Sequence, residues 1–222
     1  MEKVLYVLIA YLIGSIPFSY LLGKWFKGED LRKKGSGNLG TSNAYRVLGR
    51  AIGTTVLILD TLKSGILVYL IKYTDVFSGI ELFHPLVYGF ASIIGHVYPI
   101  WFKFRGGKGV ASSLGILLVY DPIIAVVVVP VFVVTVFLTR YSSVASTIAA
   151  ISAFLTASVI HFFFRTDWYL FIITFLAVAL IIVKHQSNYL RLKTKTENRI
   201  KYFDKYDLWR EKRRLNRQDK QK

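Results

Sequence analysis

Seven apolar stretches separated by short polar segments run through residues 1–183: 4–23, 51–73, 84–102, 109–120, 122–138, 142–164 and 167–183. A helix rising about 1.5 Å per residue needs about 20 apolar residues to cross a bilayer. All the runs except 109–120 approach or reach that length. The short run ends at Asp121-Pro122. Proline suits the first turn of a helix and not its interior, so 109–120 and 122–138 read as two helices joined by a tight turn. The pattern predicts an all-α, polytopic integral membrane protein with seven transmembrane helices. Gly14 and Pro17 lie inside the first run and no small-x-small cleavage site follows it. It reads as a retained span, not a signal peptide.

Charge sets the orientation. The chain has 29 Lys and Arg against 13 Asp and Glu, a net +16. Residues 184–222 hold 14 basic and 5 acidic groups, residues 24–50 hold 7 and 2, and residues 103–108 hold 3 and none. The rest is close to neutral. Basic residues in short loops stay on the cytoplasmic side. With seven spans, 24–50, 103–108, 139–141 and 184–222 all fall there, which puts the N-terminus outside and the C-terminus in the cytoplasm. Merging 109–138 into one span would separate the 24–50 loop from the basic tail. Residues 1–200 are expected to form one membrane domain and 201–222 a basic cytoplasmic tail. Apolar groups in that tail, such as Tyr202, Phe203 and Trp209, suit an anionic inner leaflet. A 54% hydrophobic chain is not a disordered basic protein. Nothing in it resembles a nucleic-acid recognition module, so no nucleic-acid partner is expected.

There is no cysteine, and His84, His96, His161 and His185 form no H-E-x-x-H pair. Thiol chemistry, disulfides and Cys-based zinc sites are excluded. No metal or cofactor is expected.

Three polar segments carry candidate chemistry. The first reads K34-G-S-G-N-L-G-T-S-N-A-Y-R46. Its glycines, Gly35, Gly37 and Gly40, permit close backbone approach. Ser36, Asn38, Ser42 and Asn43 supply neutral donors, and Arg46 offers a bidentate fork for phosphate. The second reads R105-G-G-K-G109. Positive-inside anchoring explains Arg105 but not Gly106, Gly107 and Gly109. Lys108 stands beside an expected helix N-terminus, a pole that favours anions. In the third, His185, Asn188 and Arg191 are spaced by three and share a face if the last helix continues past Val183. Asp60 and Lys63, three apart inside an apolar run, are expected to pair in the bundle interior as structural support. For His96, packing and chemistry are equally good readings. The predicted topology puts all three segments at one membrane face, where they suit a phosphorylated, membrane-associated substrate. A transporter for an organophosphate anion is the alternative; it would place the site near the midplane, commonly between repeats.

These motifs resemble the bacterial membrane-embedded glycerol-3-phosphate acyltransferases that use acyl phosphate. The resemblance rests on G14-S-I-P-F18, on G35-S-G-N38-x-G40-x-x-N43-x-x-R46, and on D60-x-x-K63 with Gly65. It continues through G95-H96-x-x-P99, F104-R-G-G-K-G109 and H185-x-x-N188-Y-x-R191-L192 with Glu197. One departure is Lys195, where the family usually has glycine two residues before the final Glu. The resemblance implies acyl transfer from acyl phosphate to the 1-hydroxyl of sn-glycerol 3-phosphate, giving lysophosphatidate and phosphate as the first step of phospholipid synthesis. It implies a monomer in the bacterial inner membrane, with a site facing the cytoplasm and partners limited to the two substrates and membrane lipids. Ser36, Arg46, Lys108, His185 and Asn188 would be catalytic. Gly37, Asn38, Gly40, Asn43, Arg105, Gly106, Gly107, Gly109, Arg191 and Glu197 would serve the substrate phosphates, with Asp60, Lys63 and His96 in support. The proton could leave through His185 or through the donor phosphate; the sequence does not choose. The H-x-x-x-x-D motif of other acyltransferases is missing, since Gly89, Trp101, Thr166 and Leu190 stand fifth after the four histidines.

Overall fold

The computed structural model describes residues 1–200; the expected tail 201–222 lies outside the described residues. The described chain is all-helical. Its helices are α1 (Glu2–Gly14), α2 (Phe18–Lys27), α3 (Thr41–Leu48), α4 (Arg50–Tyr73), α5 (Pro85–Val97), α6 (Val110–Tyr120), α7 (Pro122–Thr139), α8 (Ser142–Val159), α9 (Trp168–Lys184) and α10 (Gln186–Lys193). A π-helical turn, Ile160–Phe164, extends α8.

Five stretches are long and apolar enough to cross a membrane: Glu2–Lys27, Arg50–Tyr73, Pro85–Phe102, Pro122–Thr139 and Ser142–Phe164. A sixth is α9 with α10, if that pair, bent by 47°, counts as one span. At 11 residues, α6 is about 16 Å long, half of a hydrocarbon core. The first span is broken. It stops at Gly14 and restarts at Phe18, because Pro17 has no N–H to continue the ladder. Asp121-Pro122 does divide α6 from α7, with Pro122 at the first position of the new helix.

Small residues let the helices meet closely, as helix packing in lipid requires. A β-carbon on Gly14 would overlap the Ser92 backbone, and one on Gly115 would overlap that of Thr61. These positions draw α1 onto α5 and α6 onto α4. The main apolar cluster, including Val68, Ile93, Ile116, Ile124, Ala153 and Leu170, then fills the space between α4 and α9.

The two ends of the bundle differ. One end gathers the C-termini of α4 and α6 with the N-termini of α5 and α9. There Tyr120 Oη donates to Asp167 Oδ2 at 2.8 Å, Lys72 Nζ donates to the Tyr120 carbonyl at 2.8 Å, and Arg165 pairs with buried Asp121. Lys3 and Glu81 pair at 2.6 Å at this same end. The other end gathers the polar segments singled out in the sequence.

Candidate active site

The loop between α2 and α4 is not a loose linker. Asn43, 2% exposed on α3, is its hub. The Asn43 amide donates to the carbonyls of Leu31, Lys34 and Asn38 at 3.0–3.2 Å. Its Oδ1 accepts the Ser36 N–H at 2.9 Å and Arg46 Nη1 at 3.4 Å. Asn43 thus brings Ser36 and Arg46 together. Its side chain is buried and its hydrogen bonds are made to the loop and to Arg46. Asn38 staples the two glycine loops, donating to the Gly106 carbonyl at 3.2 Å while its Oδ1 accepts the Gly40 N–H at 2.8 Å. Arg32 lies over the Tyr20 and Phe102 rings and is held by Asp30, whose carboxyl it pulls down to about 2.

In the second loop, the N–H groups of Gly106 and Gly107 donate to the Val97 and His96 carbonyls at 3.1 and 3.0 Å. These two donors fold the loop back on α5. A β-carbon on Gly107 would strike the His96 ring. Gly109 turns the chain into α6 with φ +83°, a left-handed conformation that glycine adopts without strain. Lys108 is thereby set at the α6 N-terminus, part-buried, with its ammonium donating to Asn188 Oδ1. Arg105 stays exposed beside it.

Beneath these loops lies a buried polar cluster. Lys63 Nζ reaches Asp60 Oδ1 at 2.8 Å, the Ile16 carbonyl at 2.9 Å and His96 Nδ1 at 3.0 Å. An ammonium only donates, so His96 Nδ1 is the acceptor and Nε2 carries the ring proton. Lys63 therefore clamps α4, α5 and the Ser15–Pro17 break at once. Asp60 also lines a small cavity with Ser15, Leu39, His96, Pro99 and Gly107.

The third segment supplies the most polar wall. At His185 the chain bends out of α9; its Nδ1 lies 2.8 Å from the Ile181 carbonyl, so that nitrogen donates and Nε2 is left as an acceptor. Asn188 and Arg191, one turn apart on α10, both bind Glu197: Asn188 Nδ2 to Oε1 at 2.6 Å and Arg191 Nε to Oε2 at 2.8 Å. Ser143 Oγ, which no sequence motif pointed to, donates to the same Oε1 at 3.0 Å. Hydrogen bonds from these three groups hold the Glu197 carboxyl below the usual carboxylate range despite its partial burial. Glu197 thereby holds Asn188, Arg191 and Ser143 together.

Glu197 arrives here through the turn after α10. The Thr196 N–H donates to the Arg191 carbonyl at 2.8 Å and the Lys195 N–H to the Leu192 carbonyl at 3.1 Å, a Schellman cap. Such a cap needs a left-handed residue, and Lys195 has φ +58°. This explains why glycine would suit the position. Exposed Lys195→Gly should relieve roughly 1 kcal/mol of backbone strain. It is expected to raise the thermal midpoint in detergent with turnover kept; a lowered midpoint would contradict the strain.

Lys108 completes the electrostatics. Burial holds it down to about 8, opposed by Glu197 and reinforced by Arg191, Arg46 and Lys184. Arg46 in turn feels Glu197 and Arg191. Three cations, Arg46, Lys108 and Arg191, thus share one carboxylate, a surplus that an anionic ligand would neutralise. No group of three or more His, Cys, Asp or Glu that could hold a metal occurs among the described residues.

Bundle and pocket together define an integral membrane protein built to handle an anionic substrate at one end of its helices. A family profile described as glycerol-3-phosphate acyltransferase matches residues 4–195. The chain is 42% identical over 202 residues to the glycerol-3-phosphate acyltransferase of Bacillus velezensis, covering 90% of this chain and 98% of that one. It is 40% identical over 200 residues to that of Bacillus subtilis, covering 89% and 97%. Among solved structures it is similar to PlsY (YgiH), an integral membrane glycerol 3-phosphate acyltransferase, in its glycerol 3-phosphate form. The TM-score is 0.79 at 37% identity, covering 90% of this chain and 96% of that one. The chain belongs to the glycerol-3-phosphate acyltransferase family.

Proposed function

We propose that the protein transfers an acyl group from acyl phosphate to the 1-hydroxyl of sn-glycerol 3-phosphate, releasing lysophosphatidate and inorganic phosphate. The observation that carries this reading is the surplus of positive charge where Arg46, Lys108 and Arg191 share Glu197. Arg46, Lys108 and Arg191 hold the glycerol phosphate. Ser36 lines the same mouth through Asn43. His185 Nε2 accepts a hydrogen bond from the attacking hydroxyl and orients it. The acyl carbon is already activated, so attack needs no covalent enzyme intermediate. The new C–O ester bond forms as the acyl–phosphate bond breaks; the hydroxyl proton passes to His185 Nε2 and from there to the departing phosphate, which leaves as hydrogen phosphate.

Seven crossings are part of this proposal, with α6 as the short one, the N-terminus outside and the pocket facing the cytoplasm of a bacterial inner membrane. Lys3 and Asp167 belong to one end of the bundle and Lys108 and Asn188 to the other, which supports it. The enzyme would act as a monomer without cofactor. In detergent, phosphate release from synthetic palmitoyl phosphate should require glycerol 3-phosphate, and palmitoyl-CoA should not replace the donor. Uptake of glycerol 3-phosphate into sealed vesicles without phosphate release would favour the transporter instead.

A further inference from the structure

We infer that Lys184, seated on the ring of Tyr98, is the arm that binds the phosphate of the acyl donor, separate from the Arg46–Asn188–Arg191 wall. This rests on the proposed reaction, which brings two phosphate-bearing reactants together.

Lys184 ends α9, the helix that also delivers His185. Its ammonium lies 4.5 Å from the centre of the Tyr98 ring, at the C-terminal end of α5. No carboxylate pairs with it among the described residues, whereas Arg191 has Glu197 at 2.8 Å. A lysine at the end of an apolar helix commonly snorkels outward to the headgroup layer. Here the ammonium is turned inward onto Tyr98 and lies close enough to Lys108 to act on its charge. A part-buried cation facing another cation is costly unless an anion joins them. Lys108 therefore stands between two anion-binding arms, one ending in Arg46 and Arg191 and the other in Lys184.

The surroundings decide which reactant takes which arm. Asn188, Ser143 and Glu197 make the first wall polar, as a small water-soluble co-substrate requires. Lys184 follows Ile182 and Val183, both exposed on the apolar surface of α9. An anion held there can run a hydrocarbon chain along the helix into lipid. That is the geometry of an amphiphile: phosphate on Lys184, acyl carbon toward Lys108 and His185, chain in the membrane.

Lys184→Met keeps the apolar stem and removes the charge. It should raise the KM for palmitoyl phosphate at least tenfold while the KM for glycerol 3-phosphate stays within twofold. Lys184→Arg should restore the donor KM to within threefold. A second measurement uses the unaltered protein: an acyl phosphonate should protect Lys184 from amine acetylation, read by mass spectrometry, and glycerol 3-phosphate should not. Protection by glycerol 3-phosphate alone, or an equal rise in both KM values, would overturn the assignment. An unchanged donor KM in Lys184→Met would do the same. If the unaltered protein does not use acyl phosphate at all, the reaction itself fails; if it does and Lys184 is silent, only this arm fails.

Discussion

Lys108→Met should lower kcat/KM for glycerol 3-phosphate by about a hundred- to a thousandfold, the usual loss when one preorganised charge is removed from an acyl-transfer site. Lys108 is set by a left-handed glycine at the start of α6, hydrogen-bonded to Asn188 and surrounded by Arg46, Arg191 and Lys184. No neighbouring cation occupies the same point between the two arms. Its proton is held weakly, because burial and the adjacent cations lower it to about 8 while Glu197 only partly compensates. The sign follows directly. The cation is present below about pH 8 and is lost above it, so affinity for a phosphate dianion falls as pH rises through that value. A bound dianion favours the charged form, so binding near pH 8 takes up protons. Titration calorimetry of glycerol 3-phosphate in two buffers of different ionisation enthalpy measures that uptake. Lys108→Arg, which stays charged, should abolish it. Near-normal turnover in Lys108→Met, or a buffer-independent heat at pH 8, would remove Lys108 from the site.

The sequence made much of this legible, for reasons that can be named. Apolar runs separated by Pro, Gly and charge follow from the bilayer as solvent, and Asp121-Pro122 marked a true helix boundary. Asn188, Arg191 and Glu197 lie close along the chain, so local spacing was enough to group them. Contacts across distant helices were not readable. Ser143 reaches Glu197 over 54 residues, and Lys63 reaches Ile16 over 47. Neither has a local signal. In the glycine loops, spacing announces close approach but not which partner a backbone N–H finds. Gly106 and Gly107 give theirs to α5, and Asn43 gives its amide to the loop that carries Ser36. Lys195 shows the converse. It departs from the family pattern at the one residue of the turn before Glu197 that has a left-handed backbone.

The largest effect on folding is expected from Asp60→Ala. The Asp60 and Lys63 side chains are 2% and 3% exposed, so neither charge is relieved by water. Among the described residues, removing the carboxylate leaves the Lys63 ammonium with the Ile16 carbonyl, a neutral imidazole nitrogen and the face of the Phe18 ring. Breaking a buried pair in this one-sided way costs roughly 3–5 kcal/mol. Replacing both partners by apolar groups is often nearly neutral, because two desolvation costs vanish together. The double variant Asp60→Ala/Lys63→Met should therefore recover most of the folded yield and thermal midpoint that Asp60→Ala loses. Activity should not recover in parallel. Without Lys63, nothing ties the Ile16 carbonyl to His96, and the His96 ring no longer braces the Gly106–Gly107 turn that positions Lys108. The double variant should fold and turn over at least about tenfold more slowly, since small displacements of a positioned group are costly to catalysis. A double variant as unstable as the single one would show that the cluster is not an ion pair in energetic terms. Full activity in it would show that the cluster stabilises the bundle without positioning the loop above it.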